Sequence, residues 1–300
     1  MEILIFIFWI IALVYFMNIL WLILGFSKVK NFEISDVVPK TKFTIIVPFR
    51  NEAESLPKLL HSISMLDYPM DLFEVILVDD ASDFRFQILD FRFQISLIDN
   101  FRSSNSPKKD AINTAIAISK YNWIITTDAD CVVEPEWLKT FDNFIQENNP
   151  KMIAAGVFYK TNKNFLDCFQ QLDLLSLQGT TIGSFGNGNG FMCNGANFCY
   201  QKSFFYKLKG FEGNSNIASG DDVFLLQKAI ENNPETVCFL KSETAVVETQ
   251  TMKTWGDLFY QRVRWASKTA NYNGVYAKQL ALSVFLMNLI LVVGCGLLVY

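Results

Sequence analysis

The chain has 300 residues, of which 51% are hydrophobic and 15% aromatic, with 28 phenylalanines and a formal net charge of −4. That length accommodates one large domain with membrane segments beside it, and the lack of a basic excess argues against nucleic acid as a partner. Six scattered cysteines without a Cys-x-x-Cys pair, and a single histidine, His61, leave no zinc set and no Ser-His or Cys-His hydrolase; the thiols are expected reduced, in a cytosolic compartment.

Residues Ile3 to Phe26 are almost wholly apolar, long enough to span a bilayer core. The run starts after Met1-Glu2 and is too long for a cleaved signal, so an uncleaved transmembrane helix is expected over residues 1–27. Lys28, Lys30, Lys40 and Lys42 follow in a linker over 28–42 and place that side in the cytosol. A second apolar run covers Gln279 to Tyr300, preceded by Lys268 and Lys278, and it predicts a second span over residues 278–300. It reaches Tyr300 without a polar tail, so further membrane segments are expected. The sequence thus predicts an integral protein of the cell (inner) membrane with its soluble domain, residues 43–253, in the cytosol.

Within that domain, Phe43 to Phe49 predicts a strand, and Asn51-Glu52-Ala53-Glu54 opens a helix to about Leu66, acids in its first turn. Phe73 to Val78 is a second strand, ending in Asp79-Asp80. A seven-residue tandem repeat, Asp83-Phe-Arg-Phe-Gln-Ile-Leu89 then Asp90-Phe-Arg-Phe-Gln-Ile-Ser96, has strand-like alternation and reads as a local duplication. Lys108 to Lys120 reads as a helix, Asn122 to Thr127 as a buried strand, Pro135 to Asn148 as a helix with proline in its first turn, and Met152 to Tyr159 as one strand. Strands alternating with helices predict an α/β fold with a mostly parallel central sheet covered on both faces. Phe165 to about Leu177 is helical, Gly183 to Gly190 a mobile loop by composition, Val223 to about Glu231 a helix, and Thr236 to Thr249 strand-like. Trp255 to Tyr272 predicts an amphipathic interfacial helix, within a segment 254–277.

The chemistry gathers at strand ends, where open α/β sheets bind ligands. Asp128-Ala129-Asp130 closes the Asn122 strand, and side chains two apart on extended backbone share a side. Two carboxylates so placed suit a hard divalent cation, Mg²⁺ or Mn²⁺, which can also grip a diphosphate. A solvated strand-end turn is the bland alternative for any isolated D-x-D. Ser219-Gly220-Asp221-Asp222 opens a helix, where an ionised carboxylate is favoured by the dipole and can equally serve as a cap.

The ordered set Val47-Pro-Phe-Arg-Asn-Glu52, Val78-Asp-Asp-Ala-Ser82, Lys108-Lys-Asp-Ala-Ile-Asn113, Asp128-Ala-Asp130, Gly220-Asp-Asp222 and Gln261-Arg-Val-Arg-Trp265 resembles the family 2 glycosyltransferases over roughly residues 43–270. It is most similar to the membrane-embedded branch that includes cellulose, chitin and hyaluronan synthases and ceramide glucosyltransferase. The resemblance implies a nucleotide-sugar-binding fold of the GT-A type. It implies that Glu52 and Asp79 recognise base or ribose, with Asp80 beside them orienting the turn, and that Lys109 lies near the diphosphate, with Lys108 as its substitute. Asp130 would be the firmer metal ligand and Asp128 the one nearer the sugar. Asp222 would be the general base; Asp221 departs from the family's usual Glu-Asp. Gln261, Arg264 and Trp265 share one helix face by their spacing and, by resemblance, serve the acceptor end, with Arg262 turned toward lipid headgroups.

The expectation is therefore an inverting, metal-dependent glycosyltransferase that uses a nucleotide-sugar donor, with UDP as the nucleotide. Its acceptor is a lipid or glycan at the membrane, and nucleic acid is not a partner. The alternative is a catalytically inactive nucleotide-sugar-binding membrane subunit, which predicts a damaged acidic set.

Overall fold

The computed structural model describes residues 2–83, 91–162, 164–214, 220–269 and 274–299. The first copy of the tandem repeat lies outside the described residues, apart from Asp83.

The helices are α1 (Glu2–Lys28), α2 (Leu56–Ser64), α3 (Pro107–Ile118), α4 (Trp137–Asn148), α5 (Phe165–Gly186), α6 (Lys202–Lys207), α7 (Asp221–Asn232), α8 (Trp255–Thr269) and α9 (Val275–Val299). The strands are β1 (Phe43–Phe49), β2 (Phe73–Asp79), β3 (Gln94–Asp99), β4 (Trp123–Thr126), β5 (Val132–Val133), β6 (Met152–Ala155), β7 (Val157–Lys160), β8 (Phe198–Gln201), β9 (Val237–Leu240) and β10 (Val247–Gln250). Seven of them form one sheet in the order β3-β2-β1-β4-β8-β6-β9, and β5-β10-β7 form a second, small one. In the large sheet β1, β2, β3 and β4 are mutually parallel, and β8 alone runs antiparallel to its neighbours β4 and β6. The sheet is mostly parallel because α2 and α3 connect β1 to β2 and β3 to β4, and helices cover both its faces. On one face Leu59 and Leu60 of α2 and Phe141 of α4 pack against Ile45, Val75 and Ile125. On the other, Ile112 and Ile116 of α3 and Leu225 and Leu226 of α7 pack against Ile46, Ile76 and Ile124.

Local chemistry moved several predicted boundaries. The helix after β1 begins only at Leu56, with a proline in its first turn and no acid there, so Glu52 sits in the preceding loop and not on the helix. Asn51 starts that loop with φ of 59°. The single strand expected over residues 152–159 is two strands in different sheets, broken at Gly156, whose carbonyl accepts from Val247 N and Asn197 Nδ2. The strand-like stretch 236–249 divides the same way, into β9 and β10.

The loop expected from Gly183 is instead helical as far as Gly186. Its glycines are where α5 crosses α1 with the two backbones nearly touching. A Cβ on Gly183 would lie 2.3 Å from the Leu22 carbonyl oxygen, and one on Gly186 would lie 1.9 Å from that of Gly25. Asn187 closes the crossing, donating from Nδ2 to Trp21 O at 2.7 Å and accepting from Lys28 Nζ at 2.8 Å. Glycine here is a packing requirement, as in close helix crossings between small residues. The segments Ile5–Lys28 and Val275–Gly294 are long and apolar enough to cross a membrane.

Gly186→Val should therefore destabilise the protein by more than the ~1–3 kcal/mol of ordinary overpacking, because the obstacle is backbone. Gly179→Ala, on the same helix with nothing within 4 Å of its added Cβ, should stabilise by about 0.5–1 kcal/mol. Thermal unfolding of the two variants side by side checks both.

Candidate active site

The carboxyl ends of β2, β1 and β4 lie side by side, and the loops leaving them carry acids. The β1 and β2 loops are stapled together. Asn51 and Asp83 exchange hydrogen bonds, each of 2.8 Å, and Asn51 N donates to Ser82 Oγ at 2.9 Å. Asp79 Oδ1 accepts from both the Ser82 amide (2.9 Å) and its hydroxyl (2.6 Å), which defines the turn. Asp80 is turned to a different set of partners. Its carboxylate is buried and engaged by Arg102 at 2.6 and 2.8 Å and by Asn100 Nδ2 at 2.7 Å. Expected among the substrate-binding residues, Asp80 instead anchors the segment that leads into α3.

Lys108, near the N-terminus of α3, is the centre of the acidic group. Its ammonium is 2.5 Å from Asp128 Oδ1 and 3.9 Å from Asp221 Oδ2. Burial pulls the Lys108 pKa down, but Asp128, Asp221 and Asp222 together raise it above the ordinary lysine value. Lys109, expected at the diphosphate, faces the core instead: it is 1% exposed, donates to Asn214 O at 2.7 Å and lies 5.4 Å from the Phe224 ring. The signal for this was in the helical period. Lys109 is three and seven residues before Ile112 and Ile116, which line the same core face.

Asp221 and Asp222 enter from the start of α7. Gly220 precedes them with φ of 84°, a conformation open to glycine at little cost. Asp222 Oδ2 accepts from Gly195 N at 2.8 Å, and Oδ1 from Val223 N at 2.7 Å. Gly195 also accepts at its carbonyl from Thr126 Oγ1 on β4, at 2.7 Å. One glycine turn thus joins the α7 acid to β4, the strand that leads into Asp128 and Asp130; these two lie in the turn beyond it, where Cys131 N donates to Asp128 O at 3.1 Å, and not on extended backbone as expected. A Cβ on Gly195 would sit 3.1 Å from Asp221 Oδ2, so a side chain there would crowd the pair.

Asp130 is set deeper. Burial raises its pKa above the usual carboxylate value, Asp128 and Glu52 add to the rise by repulsion, and a hydrogen bond from Thr249 Oγ1 (3.2 Å) opposes it. Among the described residues no group of three or more His, Cys, Asp or Glu side chains gathers to hold a metal. What the site offers is the pair Asp128 and Asp130, with Glu52 near enough to be felt. Mutual repulsion in a buried place is what a divalent cation relieves, and a Mg²⁺-like ion takes one or two carboxylates plus water and phosphate oxygens. The residues fit such an ion.

The Gln261 helix departs from its expected orientation. Arg262, expected toward lipid headgroups, is turned inward: its Nε and Nη2 reach Asp173 Oδ2 on α5 at 2.6 and 2.5 Å. Its guanidinium lies 4.3 Å from the Trp265 ring and its Nη1 donates to Gln261 Oε1. Arg264 is exposed. Arg262 and Trp265 are three residues apart and share a face, and the Asp173 carboxylate selects that face for burial. Asp173, Thr249 and Gly195 belong to the arrangement but carried no motif; only the folded chain brings them in.

Residues 44–209 match the family model described as glycosyl transferase family 2. The chain is 32% identical over 116 residues to poly(ribitol-phosphate) beta-N-acetylglucosaminyltransferase TarS of Staphylococcus aureus, a match covering 37% of this chain and 20% of that protein. It is 24% identical over 275 residues to poly-beta-1,6-N-acetyl-D-glucosamine synthase of Staphylococcus epidermidis, covering 84% of this chain and 62% of that one. The chain thus spans a fifth to about three fifths of these relatives' lengths. In fold it is similar to the mannosyltransferase PcManGT from Pyrobaculum calidifontis in complex with GDP-Man and Mn²⁺ (TM-score 0.64, 18% identity, 98% of this chain and 92% of that one). It is also similar to residues 1–349 of S. aureus TarS in complex with UDP-GlcNAc (TM-score 0.53, 18% identity, 81% and 72%).

The raised Asp130 pKa has a measurable consequence. A carboxyl whose folded pKa lies above its unfolded value of about 3.9 contributes stability below that value, and loses it as pH rises through the folded pKa. In chelator, Asp130→Asn should therefore raise the unfolding midpoint at pH 7 and lose that advantage by pH 4. Unfolding scans across that range check the sign.

Proposed function

The chain belongs to glycosyl transferase family 2, and on that premise we propose that it moves a sugar from a UDP-sugar to a hydroxyl of a lipid or glycan acceptor, with inversion, at the cytosolic face of a membrane. The observation that carries the reading is the single Gly195 turn that holds Asp222 beside the strand end bearing Asp128 and Asp130, with Lys108 between them. Acids from distant parts of the chain are thereby gathered at one sheet edge, which a damaged, inactive homologue has no reason to keep.

In this reading Glu52 and Asp79 accept hydrogen bonds from the nucleoside; Asp79 keeps a second oxygen for this after its turn is made. Asp128 and Asp130 would hold Mg²⁺ or Mn²⁺, which supplies charge stabilisation to the departing diphosphate. Lys108 adds a positive charge at the same place. Asp222 takes the acceptor's hydroxyl proton as the sugar is attacked. Its two backbone N–H bonds fix the carboxylate's direction. Asp221 holds Lys108 in place, and Gln261 and Trp265 serve the acceptor side.

Membrane attachment is supported by the two long apolar helices and by α5. Phe165, Phe169, Leu172 and Leu175 form an exposed apolar stripe on it, and Phe165 and Phe169 pack against Trp255 of α8. Lys28 and the lysines that follow α1 favour a cytosolic domain. Both curated relatives are named for N-acetylglucosamine, so UDP-N-acetylglucosamine leads the donors to test.

The test is release of free nucleotide from a panel of UDP- and GDP-sugars by the full chain in purified membranes, with Mn²⁺ or Mg²⁺. Asp222→Asn should lower turnover by ~10²–10⁴-fold, the range of general-base catalysis, with UDP binding retained. Unchanged turnover in the folded variant removes Asp222 from the mechanism.

A further inference from the structure

Asp130 and the Gln261 helix are far apart in sequence, yet a continuous set of contacts joins them. Thr249 on β10 donates its hydroxyl to Asp130 Oδ2 at 3.2 Å. Its register partner on β7 is Tyr159, and residues directly paired in a ladder project to the same face. Tyr159 is 3% exposed, and its phenol is met by the side chains of Arg262 and Gln261. Arg262 is bound in turn to Asp173 and stacked on Trp265. The backbone runs the same way: β5, two residues beyond Asp130, pairs with β10 at Val132 and Val133.

We infer that Thr249 and Tyr159 are positioning residues that tie the Asp130 carboxylate to the helix bearing Gln261 and Trp265, making the cation end and the acceptor end of the site one mechanical unit. Neither residue touches a reacting atom. The Thr249 hydroxyl restrains one oxygen of Asp130, and a carboxylate whose direction is fixed by an outer partner binds a cation better than a free one. Tyr159 holds the strand beside Thr249 and carries the α8 contacts. A disturbance of the Arg262–Asp173 pair, which has no direct contact with Asp130, is therefore felt there. The inference rests on the proposed reading of Asp130 as a cation ligand.

The experiment titrates Mn²⁺ into the full chain in detergent at saturating UDP and follows free Mn²⁺ by electron paramagnetic resonance. It compares wild type with Thr249→Val, Thr249→Ser, Tyr159→Phe and Asp173→Asn, each held well below its unfolding midpoint. Thr249→Val and Tyr159→Phe should raise the half-saturating Mn²⁺ by ~10-fold or more, the scale set by outer-sphere partners of metal ligands. Asp173→Asn should shift it in the same direction, and Thr249→Ser, which keeps the hydroxyl, should restore the wild-type value. Wild-type protein that takes up no Mn²⁺ with UDP overturns the metal reading itself. Wild-type binding with unchanged variants overturns the inference alone. So does a shift confined to Thr249→Val, since a separate α8 would leave Tyr159→Phe and Asp173→Asn at the wild-type value.

Discussion

The arrangement depends on one ammonium among three carboxylates. Asp128, Asp221 and Asp222 surround Lys108, and without it, like charges in a partly desolvated place would drive the β4 loop and the start of α7 apart. Lys108 is placed by backbone, not by its own flexible stem. It sits in the first turn of α3, just after Pro107. The segment before that turn is pinned twice: Asp80 grips Arg102 and Asn100, and Asp110 accepts from the Ser103 and Ser104 amides at 3.0 and 2.9 Å. Asp80, the buried acid just beyond the second strand, thus acts on the site at one remove, by deciding where α3 begins.

The same economy of parts joins the site to the apolar helices. Val223 and Phe224, immediately after Asp222, pack with Leu22 of α1 and with Ala277 and Leu280 of α9. α1 is held against α5 by backbone contact at Gly25, Gly183 and Gly186, and α5 carries the Asp173 that receives Arg262. The later turns of α1, α7 and, through α5, α8 are consequently braced against one another. Dry, close-packed contacts of this kind transmit displacement instead of absorbing it.

Much of the fold was legible because its signals are local. The apolar runs of β1, β2 and β4, each ending in a polar residue or an acid, are readable from one window of sequence, as are the two long apolar helices. The misjudged places are those where a distant partner decides. Gly183 to Gly186 has loop composition, yet it is helical because α1 lies on it. Residues 152–159 have one continuous strand pattern, yet Gly156 divides it because its carbonyl is needed by Val247 and Asn197. Glu52 follows a strand as expected, but Pro57 delays the helix and leaves the acid in a loop.

By itself the sequence determined the alternation of strands and helices, the positions of the acids at strand and helix ends, and the family that this order resembles, since each is a property of residue type and near spacing. Which of two adjacent lysines meets the acids, which arginine of Gln261-Arg-Val-Arg-Trp265 turns inward, and which neutral residues hold Asp130 and Asp222 were decided only in three dimensions. These choices rest on single contacts: Lys108 with Asp128, Arg262 with Asp173, Thr249 with Asp130, Gly195 with Asp222. A hydrogen bond or ion pair acts over about 3 Å, and such distances between residues 20 to 119 positions apart exist only once the chain has closed on itself.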